Sequence, residues 1–399
     1  AARALSIPLI SGVILAFCTP ITILKLQRVC RTSAEAVRDY LTRAFDVRRV
    51  LERFFPDVLA FRSLQARTGT LISGSVALQF FDRDSYPDSD LNLYVHMRHR
   101  REIGRWFLAQ GYQFEPASHQ PSEFEAAATE ALSGMTATPY GMPGIAAVMN
   151  FTRRCDPRAD MSTYDAQNES KLKVQLIVAR KTPMEVVLGF HSTCVMNVIS
   201  FEKAYCLFPR ATLEERVSLL SSSSAGRSNR RRQSVAKYAT RGFAIIERIP
   251  STDLRSPSLF ALGWRWIDDS SSWVIALNTR DVAPPASPNR RSPPLVHDPV
   301  VVCNWEVQYT PLRGAVMHYV VARSELLRYR YLIGDPDLAG ELGRHFAAKL
   351  LQERFKKKAE LDVWQFHDHT LPDLCRALLA HLTRRKLSCM RSIAEQTIA

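Results

Sequence analysis

The sequence predicts an α+β fold built on a mixed sheet with flanking helices, and three stretches carry that expectation. Leu71 to Val95 reads strand, helix, loop, strand, with Leu91, Leu93 and Val95 alternating against Asp90, Asn92 and Tyr94. Leu172 to Ala179, LKVQLIVA, is a strand by length and by its β-branched, apolar content. Residues 259 to 332 are strand-rich, and from Pro336 onward the chain is helical.

The elements follow in order. Ile7 to Tyr40 reads as short helices: Val13, Ile14 and Phe17 share one face, Pro20 restarts the chain, and Ala36, Val37 and Tyr40 continue it. Ala4 to Leu24 carries no charge, but Pro8, Gly12 and Pro20 interrupt it and a basic segment from Lys25 to Arg53 follows, so no membrane span is expected. The first residue is Ala, so a start further upstream is expected. Gly74-Ser75 opens a helix with apolar pairs Val76/Phe80 and Ala77/Phe81, and Asp82 to Ser89 is a loop. Arg101 to Gln110 is a helix stopped by Gly111, with a short strand at Tyr112 to Phe114. Thr182-Pro183 starts a long helix-like segment running towards Leu219. WRWIDDSSSWVIAL reads as a hairpin, and Val300 to Val307 and Ala315 to Val321 as two more strands.

Composition limits the function classes. The chain has 399 residues, 46% hydrophobic and 23% charged, which rules out a wholly disordered or collagen-like protein. Lys plus Arg number 53 against 39 Asp plus Glu, a net charge of +14 that favours acidic partners such as nucleotides, nucleic acid or an acidic protein face. The eight cysteines include no C-x-x-C pair, which fits isolated thiols and a cytoplasmic or nuclear location. No Walker loop, Gly-x-Ser-x-Gly elbow or zinc framework is present; His367-x-His369 beside Asp368 has metal-like composition without completing ligands.

The central constellation carries the most specific chemistry. A glycine at a strand-to-helix turn lets backbone approach a phosphate, and the helix N-terminal amides then cradle it. A strand bearing Asp-x-Asp puts two carboxylates on one face, and a third from a neighbouring strand completes a site for two Mg²⁺ ions. Gly74-Ser75, a spacer, then Asp90-x-Asn92 resembles the polymerase-beta-like nucleotidyltransferase superfamily. The run Val174-Gln175-Leu176-Ile177, then Pro183, Phe190 and Cys194, is similar to uncharacterised fungal proteins with nucleotidyltransferase-like domains; the likeness covers roughly residues 7 to 245. It implies a nucleotidyltransferase-like mixed sheet, Asp90 as catalytic and metal-binding carboxylate, and Gly74 and Ser75 as phosphate-binding residues, with Lys237 added from a basic helix.

The departures bear on activity. Asn92 stands where the superfamily motif has a carboxylate, and Gln175 and Lys173 are the polar positions on the strand that should carry the third. One anionic ligand does not balance two divalent ions. The expectation is therefore a catalytically degenerate domain with a binding or recognition role, leaning away from an enzyme. The alternative is an active transferase, with Mg as cofactor only in that case.

Ile7, Pro8, Ile14, Leu15, Phe17, Pro20, Leu24, Val29, Cys30 and Arg31 resemble an F-box, the helical motif that binds the Skp adaptor of a cullin-type ubiquitin ligase. Ile10 stands where that family usually has an acid, and the spacing from Pro20 to Val29 is one residue short. The likeness implies a Skp-type partner through residues 7–40 and a third function class, a substrate adaptor. The expected organisation is an F-box-like segment at 1–60, a nucleotidyltransferase-like domain at 61–218, a basic Ser/Arg loop at 219–233, and a C-terminal α+β region at 234–399 packed on the central domain.

Overall fold

A computed structural model describes residues 2–84, 86, 89–132, 144–154, 171–221, 229–254, 259–356 and 365–398. Of the expected Ser/Arg loop at 219–233, residues 222–228 lie outside these residues, as do Asp88, Cys155, Lys357 and Lys358; its start belongs to the strand Val217–Leu219, and its last five residues are not loop but the opening of the helix Asn229–Ala239. The chain is mixed α/β around one large mixed sheet. Its eight strands run, edge to edge, Trp273–Ala276, Lys203–Cys206, Asn197–Ile199, Leu71–Ser73, Leu91–His96, Lys171–Ala179, Ile145–Arg154 and Gln113–Glu115.

The two strands legible from alternation are neighbours. Leu91–His96 runs parallel to Lys171–Ala179, with Leu91 opposite Val174 and Asn92 opposite Gln175. All other pairings in this sheet are antiparallel, including Leu71–Ser73 on Leu91–His96, which sets Ser73 opposite Asn92. The period-two pattern divides the strand between two cores. Leu91, Leu93 and Val95 join Phe45, Phe55, Phe61 and Phe81 in one buried cluster. Tyr94 joins Phe190, Tyr205, Phe260 and Trp305 in the other. The C-terminal region thus covers one face of the sheet, while residues 45–61 and the Gly-Ser helix cover the opposite face.

Local signals explain the element ends. The helix Val58–Thr68 starts at Asp57, whose carboxylate accepts the Ala60 N–H at 2.8 Å, and stops at Gly69 in the left-handed region. Pro8, Pro20 and Pro183 each occupy the first turn of a helix, where the missing N–H costs nothing.

Several segments fold differently from the sequence reading. Of Val300 to Val307, only Asn304 onward is strand, after a 3₁₀ turn at Pro299–Val302, and Ala315 to Val321 is divided between Gly314–His318 and Val320–Ala322, which join different sheets. The helix begun at Pro183 ends at Leu188; a short 3₁₀ turn at Thr193–Val195 and a hairpin, Asn197–Ile199 with Lys203–Cys206, follow. The WRWIDDSSSWVIAL stretch does turn, but its strands part: Gly263–Trp266 pairs with Asn304–Thr310, whereas Trp273–Ala276 extends the large sheet against Lys203–Cys206. Asp269 makes the turn by accepting the Trp266 and Ser271 N–H groups at 3.0 and 2.9 Å.

The N-terminal helices, Pro8–Ala16, Pro20–Gln27 and Arg31–Ala44, enclose a small core of Leu15, Ile23, Val37 and Tyr40. Arg83, just past the Gly-Ser helix, fastens them by donating to Leu15 O, Cys18 O and the Tyr40 hydroxyl. Pro336–Lys356 and Leu371–Ile398 pack on a third cluster with Leu326, Tyr331 and Ile333. Among the described residues no helix is long and apolar enough to cross a membrane, and the six cysteines described by side chain are free.

Candidate functional site

The Gly-Ser turn sits at the end of the sheet where Asp90 enters. Gly74 takes φ +75°, ψ −142°, a conformation that favours glycine, and caps the helix Ser75–Asp82. A side chain at this position would be strained, and its Cβ would stand 3.3 Å from Asn92 Nδ2. Backbone and Asn92 are therefore in close approach, as the sequence pattern requires of a strand-to-helix turn beside a second strand.

The polar groups at this end are mostly amides. Asp90 Oδ2 lies 3.6 Å from Lys173 Nζ, and both side chains are a little over one third exposed. Gln175 Nε2 donates to Asn150 Oδ1 at 2.9 Å across the next strand pair. Asn92 Oδ1 is buried with no hydrogen-bond partner. Asp82 does not fold back to supply a second carboxylate: Oδ1 accepts from Arg216 at 2.5 Å and Oδ2 from the Tyr86 hydroxyl at 3.0 Å. Among the described residues no three His, Cys, Asp or Glu side chains converge as a metal site. One carboxylate paired with an ammonium does not fit a pair of divalent cations.

Ser75 is buried, and two side chains reach it, one from the last turn of the helix Asn229–Ala239 and one from just past its end. The Tyr238 hydroxyl lies 2.9 Å from Ser75 Oγ, and Arg241 donates to the same oxygen at 3.1 Å. The Arg241 guanidinium lies 3.7 Å from the Tyr86 ring centroid, a cation–π contact, and its carbonyl accepts from Arg216. Burial pushes the Tyr238 hydroxyl above its usual range. Burial and then the Asp82 charge push Tyr86 up to about 12, so both phenols stay protonated.

Of the residues expected from sequence, Gly74, Ser75, Asp90, Asn92 and Gln175 come together at this end of the sheet. Lys237 is exposed, while its neighbour Tyr238 turns to Ser75. Arg216, Tyr86 and Tyr238 were not expected here. Arg241 carried a signal in its one-turn spacing from Lys237, but Arg216 carried none beyond its charge.

No family model matches this chain, and neither does any curated protein or solved structure.

Proposed function

We propose that this chain is a catalytically degenerate nucleotidyltransferase-like protein with a binding or recognition role. The pairing of Asp90 with Lys173 carries the reading. The carboxylate that would hold a metal already has a cation beside it, and Asn92, Gln175 and Asn150 supply neutral amides where further charge is needed. Ser75 supports the same reading, since Tyr238 and Arg241 occupy the oxygen a phosphate would approach. The test is incorporation of labelled nucleotide from each of the four triphosphates with Mg²⁺, using Asp90→Ala as control. Transfer no greater than that of the control is expected; robust Asp90-dependent transfer overturns the proposal in favour of an active enzyme.

A second reading, an F-box-type adaptor, has its own support. Packing of the N-terminal helices leaves an apolar face uncovered: Phe17 is 89% exposed, Leu9 80% and Val29 70%, with Val13, Ile14 and Leu24 also exposed. Single exposed apolar residues are ordinary, but a run on one small subdomain marks a protein contact. Lys25, Arg28 and Arg31 belong to the same segment, and residues 1–34 contain no acid, so an acidic partner face is the complement. Co-purification with a Skp-type adaptor, lost when Pro8 and Leu24 become Ala, tests this reading. Failure of the intact chain to capture the adaptor removes it.

A further inference from the structure

A cavity of about 630 Å³ lies between residues 323–330 and the helix Pro336–Lys356, lined by neither Gly74, Ser75 nor Asp90. Its volume is that of a small-molecule site. One wall carries Arg323, Arg328 and Arg330 with Glu325 between them in sequence; the other carries Ala347 and Leu350 beside the largely buried Phe346.

The arginines are held from behind. Arg328 donates one amino group to Arg67 O at 2.9 Å, and Arg330 donates to Arg180 O at 3.2 Å. Carbonyl partners fix the guanidinium planes without neutralising them. Arg98 adds a fourth cation behind the wall, donating to Arg328 O at 3.0 Å. Two carboxylates, Glu325 in the lining and Asp368 behind it, have partners other than these arginine side chains. Glu325 meets Arg354 at 3.4 Å, and Asp368 accepts the Arg328 and Tyr329 N–H groups and the Tyr331 hydroxyl at 2.7, 3.0 and 2.6 Å. Among the described residues no carboxylate forms an ion pair with Arg323, Arg328 or Arg330. Like charges gathered this way repel, and a bound anion relieves the repulsion.

The helix wall points to the rest of the ligand. Gly343 lies inside the helix, where glycine costs about 1 kcal/mol relative to alanine. A Cβ there would meet nothing within 4 Å, so no packing constraint calls for glycine. Gly343 lines the cavity with Ala347 and Leu350, and the space beside it is open.

We infer that this cavity binds a small phosphomonoester with a flat or apolar body. The phosphate sits among Arg323, Arg328 and Arg330, whose forked N–H groups match its oxygens, and the body lies along Phe346, Ala347 and Leu350. The test is fluorescence titration of the whole chain with 1-naphthyl phosphate, with inorganic phosphate and 1-naphthol as the two halves of the ligand. Saturable binding is expected, with either half alone weaker by at least about tenfold. Arg323→Glu removes and reverses one charge, and Gly343→Leu fills the cavity while strengthening the helix; each should weaken binding by about tenfold or more. Circular dichroism establishes that both variants fold. Asp90→Ala should bind as the unmodified chain does. Absence of saturation overturns the inference, as does wild-type affinity in folded Gly343→Leu or Arg323→Glu. Inorganic phosphate binding as tightly as the probe overturns the apolar half. Loss of binding in Asp90→Ala alone moves the ligand to the Gly-Ser turn and overturns the assignment to this cavity.

Discussion

Lys173 and Asp90 face each other at 3.6 Å from adjacent parallel strands, at the end of the sheet where the Gly74-Ser75 turn begins. The ammonium sets a positive charge beside this carboxylate. Asn92→Asp with Gln175→Asp is expected to raise Mg²⁺ affinity, by about tenfold for each charge added. Lys173→Met in the same background should raise it again. Calorimetric titration with MgCl₂ checks the order of the three proteins; no gain in the double variant contradicts the placement of these side chains around one point. Transfer activity need not return, because Tyr238 and Arg241 still cover Ser75.

Those two contacts should be separable in stability. Tyr238→Phe removes one hydroxyl partner of Ser75 and leaves Arg241 in place, so a loss of about 1 kcal/mol is expected. Arg241→Ala also removes the contact over Tyr86, and its loss should be about 2 kcal/mol or more. Urea unfolding of both variants gives the comparison. Equal losses would mean that the stacking over Tyr86 contributes nothing.

Asp298 provides a pH dependence. It is fully buried, and burial, followed by the Glu202 charge, raises its carboxyl to about 7. The folded state then holds the proton more tightly than the unfolded chain, whose carboxyl titrates near 3.9. Its contribution to stability is greatest below about pH 4, falls as pH rises towards 7, and is level above that. Asp298→Asn should remove this fall, a difference of order 3 kcal/mol between pH 5 and pH 8. Buried His96, held well below its usual range by burial and by His99, works in the opposite sense below about pH 6.5. The difference between the two proteins isolates the Asp298 carboxyl. Parallel stability curves would show that the carboxyl titrates normally.

Phe17 separates folding from docking. At 89% exposure, Phe17→Asp should change stability by less than about 0.5 kcal/mol. Capture of a Skp-type adaptor should nevertheless be lost. A large drop in unfolding midpoint would instead place Phe17 against the rest of the chain.

The centre of the fold was legible because its signals are local. Alternation at Leu91, Leu93 and Val95 and the apolar run at Leu172–Ala179 specify strands, and both lie in the large sheet. Gly74 was legible as a turn because its backbone conformation favours glycine. The segment after Pro183 was not legible, since a continuous apolar run fits a buried helix as well as a buried hairpin. The turn at Asp269 was real, but which strand each arm joins depends on residues far away in sequence. At the candidate site, Lys237 was expected to reach the Gly-Ser turn on charge alone. Helix phase decides otherwise: Tyr238 is on the inward face and Lys237 is exposed.

The strand Trp273–Ala276 has a consequence for how this protein is made. It is the edge strand that covers Lys203–Cys206, and Trp273 stacks edge-on against Phe45, more than two hundred residues earlier in the chain. During synthesis the first two thirds of the chain must therefore wait, with Lys203–Cys206 as an open edge, until Trp273 emerges. Pairings over such sequence separations form slowly, and an unpaired apolar edge recruits other chains meanwhile. A chain terminated between residues 218 and 273 keeps that edge permanently, so it is a substrate for chaperones and aggregation rather than a smaller version of the same fold.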